Sequence, residues 1–118
     1  MDNKTNNSII MHRLYQRVLI VMDQEQPYLD PQLNLGKLVR IIGTNRTLLS
    51  TTINNQSKSN FNTWLASYRV NHLLEALRSN PDKSFKELYS GSGFASRTSF
   101  YRQFRLIMGC SPQEYLRQ

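Results

Sequence analysis

The sequence predicts an all-α chain built from short and long amphipathic helices. Apolar residues recur at three- and four-residue intervals, and residues suited to helix starts and stops border those runs. No stretch alternates apolar and polar residues as a half-buried strand would. At 118 residues the chain has room for one core but not for a core and a sizeable second module.

Residues 1–8 are mostly polar and are expected to form a disordered leader, with the folded domain spanning 9–118. From Ile9 to about Glu25, the residues Ile10, Leu14, Val18, Val21 and Met22 mark one helix face, and Pro27 and Pro31 break the helix. Asn34 stands as N-cap before Leu35, Leu38, Val39 and Ile42, and Gly43 is the stop. Asn45 caps the next helix, with Leu48, Leu49, Thr52 and Ile53 inward. A long helix is expected from Phe61 to about Arg78, with Phe61, Trp64, Leu65, Tyr68, Leu73, Ala76 and Leu77 as burial candidates. Asn80-Pro81-Asp82 turns the chain. Ser84 and Glu87 have capping-box spacing around Phe85 and Leu88, and Gly93 closes that short helix. Ser96 caps a helix whose inner face is Phe100, Phe104, Ile107 and Met108. Ser111-Pro112-Gln113-Glu114 combines a capping box, proline at the first helical position and an acid in the first turn.

An internal repeat organises these helices. Leu35-Gly36-Lys37-Leu38 pairs with Phe85-Lys86-Glu87-Leu88, and Gly43 with Gly93. Asn45-Arg46-Thr47 pairs with Ser96-Arg97-Thr98, Leu49 with Phe100, and Ile53 with Phe104. The offset is 50 residues up to the glycine and 51 after it, so the second turn is one residue longer. Each unit is a short helix, a glycine-containing turn and a capped second helix, which is the helix-turn-helix pattern. The two units span about 34–56 and about 84–108, joined by a linker helix over about 60–79.

Charge placement points to a polyanionic partner. Fifteen Lys and Arg against eight Asp and Glu give a net charge of +7. No acid occurs between Asp30 and Glu75, a stretch holding Lys37, Arg40, Arg46, Lys58 and Arg69. None occurs between Glu87 and Glu114, a stretch holding Arg97, Arg102 and Arg105. Both windows coincide with the repeated units, and a phosphate-facing surface needs such segregation. Removing the inward residues leaves Arg46, Thr47, Ser50, Thr51 and Asn54 outward in the first unit. The second unit leaves Arg97, Thr98, Tyr101, Arg102 and Arg105. Arg suits guanine O6 and N7, Asn suits adenine, and the Thr methyl suits thymine. The second set, richer in Arg, is expected to anchor binding and the first to tune it. A linker helix of about 18 residues is about 27 Å long. That length is compatible with two helices meeting successive major-groove segments about 34 Å apart.

On these residues the chain resembles the DNA-binding domain of the AraC/XylS family of transcription regulators, from about Leu33 to Arg117. The matching pieces are Leu38-Val39 with Gly43, Leu49-Ser50, Phe61 with Tyr68-Arg69, Gly93-Phe94 with Ser99-Phe100 and Phe104, and Gly109-Cys110-Ser111-Pro112 with Tyr115. The resemblance implies seven helices in two helix-turn-helix subdomains joined by a long helix. It implies base contacts from the third and sixth helices, here Thr47, Ser50, Thr51, Arg97, Thr98, Tyr101 and Arg102. The partners it implies are double-stranded promoter or operator DNA and RNA polymerase. The segment with Tyr15, Met22, Pro27, Tyr28 and Leu29 is similar to members in which this domain ends a longer sensor protein, so an excised output domain is preferred to a short stand-alone regulator. Lys58 stands where the family has glycine, and Leu73 and Tyr89 where it has alanine. The larger side chains are expected to overpack helix crossings unless neighbours such as Ser57 and Ala76 make room. Gly91 is expected to weaken the first helix of the second unit by up to about 1 kcal/mol.

The residue inventory argues against an enzyme. His12 and His72 are isolated on predicted helices, no acid pair is placed for proton transfer, and Cys110 has no histidine partner. Ser50 lacks a nucleophile-elbow setting. One cysteine forms no intrachain disulfide and no Cys/His set has zinc spacing, so neither metal nor cofactor is expected. The longest apolar run, Val18 to Met22, is far short of a membrane span, and a cytoplasmic setting is expected. The alternative reading is a helical protein-interaction adaptor that has lost DNA binding.

Overall fold

Five side chains expected to cap helix starts each do so. In the computed structural model, which describes residues 3–118, Asn34 Oδ1 accepts from the Lys37 amide at 2.9 Å, and Asn45 Oδ1 from the Leu48 amide at 2.8 Å. The hydroxyls of Ser84, Ser96 and Ser111 accept from the amides of Glu87, Ser99 and Glu114 at 3.3, 3.1 and 3.1 Å. Each bond satisfies an amide that the first helical turn leaves without an internal partner. The helices are α1 (Asn3–Gln24), α2 (Leu35–Ile42), α3 (Arg46–Ser57), α4 (Phe61–Ser79), α5 (Phe85–Tyr89), α6 (Arg97–Met108) and α7 (Pro112–Leu116). The fold is all-α, with no strand among the described residues.

Two boundaries differ from expectation. Of the leader expected to be disordered, Met1 and Asp2 lie outside the described residues, and residues 3–8 belong to α1. Extending an existing helix needs no new nucleation, so polar residues of ordinary propensity can continue it. Burial on α1 accordingly begins at Leu14 and continues at Val18 and Met22, while Ile10 stays 48% exposed. The second difference is at Gly91. Helix α5 ends at Tyr89, and Ser90–Ser92 tighten into a 3-10 turn, so Gly91 lies beyond the α-helix it was expected to weaken.

The chain divides into two compact units. The first combines α1 with Leu33–Phe61. There α1 packs on α2 and α3, and Leu14, Val18, Met22, Leu38, Ile42, Leu49 and Ile53 are buried. Arg17 donates from Nη2 to the Ile42 carbonyl at 2.6 Å, placing a cation at the C-terminal end of α2. Thr52 is fully buried in this unit, and its hydroxyl has no hydrogen-bond partner.

The second unit combines Tyr28–Gln32 with Asn62–Gln118. Its core is Val70, Leu73, Leu88, Phe94, Phe100 and Phe104. Phe100 lies at the centre, with ring centroids of Phe85, Tyr89, Phe94, Tyr101 and Phe104 within 5.2–5.7 Å. Leu73 fits this core without exposure, beside the small Ala76. Tyr89 is half-buried and stacks on Phe100 at the edge of the core, so its bulk extends outward and does not overpack a crossing. Ser57 belongs to the first unit. Its hydroxyl donates to the Ile53 carbonyl at 2.6 Å at the end of α3.

Residues Tyr28–Gln32 are tied to this unit by Arg69 of α4. Its Nε donates to the Tyr28 carbonyl and its Nη2 to the Asp30 carbonyl, both at 2.8 Å. The Tyr28 ring packs against Tyr68 and His72 of the same helix. Gly93, at φ 91°, lies under the same carbonyl: a Cβ there would stand 2.1 Å from the Tyr28 oxygen. Gly43, its counterpart in the repeat, has φ 82° but open space around it.

The two glycines should therefore respond differently to the same change. Gly43→Ala carries only the left-handed backbone penalty, about 1 kcal/mol. Gly93→Ala adds a backbone clash and should cost about 3 kcal/mol or more. Equal losses in urea unfolding would contradict this packing. Thr52→Val should stabilise the chain by about 1 kcal/mol, because it replaces an unpartnered buried hydroxyl with a methyl group. A lower urea midpoint for Thr52→Val would show that the hydroxyl has a partner after all.

Candidate nucleic-acid interface

The repeat places two helices of equal length, α3 and α6, each of 12 residues, behind equivalent N-caps. Each also ends on a left-handed residue, Lys58 at φ 62° and Gly109 at φ 75°, whose amide donates to the fourth residue before it. Lys58 thus performs at the first unit the cap that glycine performs at the second. The backbone conformation is the same, at some strain for a residue with a Cβ.

Inward residues fix the orientation of each helix. Leu49, Thr52 and Ile53 are buried on α3, as are Phe100 and Phe104 on α6. The remaining faces carry the residues expected from the sequence. On α3, Arg46, Thr47, Thr51 and Asn54 are exposed and Ser50 is half-buried. On α6, Arg97, Thr98, Arg102 and Arg105 are exposed and Tyr101 is half-buried. Asn54 is partly engaged, since its Nδ2 donates to the Ser50 carbonyl at 3.1 Å. Neither set contains a carboxylate.

The paired arginines have different settings. Arg46 folds back over α2, and its Nη2 lies 2.7 Å from where a Cβ on Gly36 would stand. Arg97 instead turns along its own helix, its guanidinium carbon 5.1 Å from the Tyr101 ring centroid. A hydrogen bond between the two raises the pKa of Arg97 and lowers that of Tyr101. Gln113 of α7 donates from Nε2 to the same phenol oxygen.

Arg69 is not part of a phosphate-facing surface. It is 6% exposed, and burial lowers its pKa while Asp30 opposes the shift. A positive charge in an acid-free window can serve the core as well as the surface, and sequence distance to Tyr28 hid this use. Sequence reasoning also missed Lys86. It lines a cleft of about 340 Å³ with Phe85, Tyr89, Arg97, Phe100 and Tyr101. Its position opposite Gly36 in the repeat was the available indication. In the first unit a groove of about 390 Å³ runs between α1 and α3, lined by Asn7, Ile10, Met11, Asn45, Thr47, Leu48 and Thr51. Two candidate contacts, Thr47 and Thr51, therefore border the early turns of α1.

His72 is engaged by its Nδ1 with the buried Ser92 hydroxyl at 2.9 Å, which gives it a structural partner. No group of three or more His, Cys, Asp or Glu among the described residues could hold a metal ion. No helix among them is long and apolar enough to cross a membrane.

Residues 38–118 match the model of a helix-turn-helix domain family. The melibiose operon regulatory protein of Escherichia coli K12 is 38% identical over 52 residues, which is 44% of this chain and 17% of that protein. The chain therefore corresponds to less than a fifth of that relative's length. A protein of unknown function from Listeria innocua superposes with a TM-score of 0.71 at 25% identity, covering 87% of this chain and 94% of that one. The C-terminal domain of AraT, a response regulator from Geobacillus stearothermophilus, superposes with a TM-score of 0.71 at 22% identity. It covers 92% of this chain and 84% of that one, a likeness of fold.

Proposed function

Since the chain belongs to the helix-turn-helix domain family of AraC-type regulators and is a DNA-binding domain of that kind, we propose that it reads double-stranded DNA through both α3 and α6. The observation that carries this is the pair of equally built helices whose outward faces carry cationic and neutral hydrogen-bonding side chains and no carboxylate. Carboxylates there would repel the phosphates that a reading helix must approach.

In this reading α6 anchors the domain. Arg102 bonds to a guanine edge, Arg97, Thr98 and Tyr101 meet the adjacent base pairs, and Arg105 and Lys86 meet phosphates. Helix α3 tunes the preference with shorter contacts: Thr47 and Thr51 offer methyl groups, while Arg46, Ser50 and Asn54 bond to base edges or phosphates. The domain acts as the output part of a longer regulator at a promoter, with RNA polymerase as its second partner. The similarity to a fraction of the melibiose operon regulatory protein supports that role.

The test is binding to duplex DNA at two salt concentrations. Affinity for mixed duplexes should fall about 10- to 100-fold from about 50 to about 200 mM salt, as release of a few counterions requires. Selection from random duplexes should return two separated half-sites. No binding at low salt would defeat the proposal and favour a protein-interaction adaptor. Arg102→Ala should relax preference at one or two adjacent base pairs by about 1–3 kcal/mol. A loss equal on all sequences would make Arg102 a phosphate contact instead.

A further inference from the structure

Helix α7 lies outside both helix-turn-helix units, yet one of its side chains reaches the face of α6. Ser111 and Pro112 start α7, and Tyr115 on its other side packs its ring edge against Phe104 at 5.7 Å. This anchoring leaves Gln113 exposed and aimed at Tyr101, to which its Nε2 donates. Arg97, in the first turn of α6, places its guanidinium over the ring of the same tyrosine.

The chemistry of that oxygen has a directional consequence. A phenol has one O–H donor and an oxygen that accepts. With the Gln113 amide N–H directed at the oxygen and the Arg97 cation lying over the ring, the acceptor side of the phenol is already engaged from within the protein. Its single hydrogen is left to point outward, beside Thr98 and Arg97, which share a surface recess with Tyr101.

We propose that Gln113 is a specificity-determining positioning residue. By donating to Tyr101, it makes the phenol a one-way donor that selects an acceptor on the major-groove edge. Guanine N7 or O6, adenine N7 and thymine O4 meet this requirement, whereas the cytosine amino group does not. The inference rests on the proposed reading of DNA by α6, and it gives α7 a part in specificity besides closing the core.

The experiment compares the full chain with Tyr101→Phe, Gln113→Ala, Gln113→Glu and the Tyr101→Phe/Gln113→Ala double variant. Each binds duplexes that differ at single base pairs of the selected site, with urea midpoints recorded alongside. Tyr101→Phe should reduce discrimination at one base pair by about 3- to 10-fold, the range for one hydrogen bond. Gln113→Ala should reduce it at the same pair, and the double variant should lose no more than either alone. Gln113→Glu, nearly isosteric, should capture the phenol hydrogen and give the same local loss, on top of a uniform charge-dependent weakening. The inference alone is overturned if Tyr101→Phe relaxes one base pair and Gln113→Ala does not. It is also overturned if Gln113→Ala weakens all duplexes equally with a lowered urea midpoint, or if Tyr101→Phe changes no preference. If the unaltered chain shows no sequence preference, this inference and the proposed function fail together.

Discussion

A buried guanidinium holds the second unit together. Arg69 is removed from water, which opposes its charge, and the two carbonyls it grips, Tyr28 and Asp30, replace the lost hydration with charge-assisted bonds. The bond to Tyr28 spans 41 positions of sequence. It brings the loop after α1 into the unit that contains α5 and α6. Gly93 then completes the arrangement, because only a residue without a Cβ fits under the Tyr28 carbonyl. The turn that aims α6 is therefore built on a segment far upstream. Disturbing Arg69, Tyr28 or Gly93 acts on the same joint.

The repeat shows how one local pattern supports two different surfaces. Caps, helix lengths and the left-handed end residues are shared between α3 and α6. The side chains above that frame are not. Gly36 leaves space for Arg46 to fold back, whereas Lys86 occupies the equivalent position and joins Arg97 and Tyr101 around a cleft. The first unit also has a long helix, α1, beside α3, and the second has α7 beside α6. The two units share one backbone pattern, and the neighbours of each set its chemistry.

Much of the fold was legible because its determinants are short-range. A capping oxygen serves an amide three residues on, a left-handed stop depends on one residue, and an apolar stripe repeats within two turns. Those rules located the starts of six of the seven helices to within about one or two residues, the usual uncertainty of such ends. They failed at the start of α1, where propagation from a stable helix outweighs the polarity of residues 3–8. They failed again at Gly91, where the chain tightens into a 3-10 turn three residues earlier than the repeat suggested.

The outward faces of α3 and α6 were equally legible, since removing the buried positions of a helix leaves its exposed ones. The roles of individual charges were not. Arg69 and Arg97 look alike in sequence, each a cation in an acid-free window, yet one is a core ligand of backbone carbonyls and the other lies over an aromatic ring. What the sequence by itself determined was the helix pattern, the repeated unit and the absence of carboxylates from the outward faces of α3 and α6. Those properties reside in residues close together along the chain. Tertiary structure alone decided that Arg69 is internal, that Gly93 is irreplaceable where Gly43 is not, and that Gln113 reaches Tyr101. Each depends on contacts across 12 to 65 positions of sequence, and no local pattern encodes which distant partner a side chain will meet.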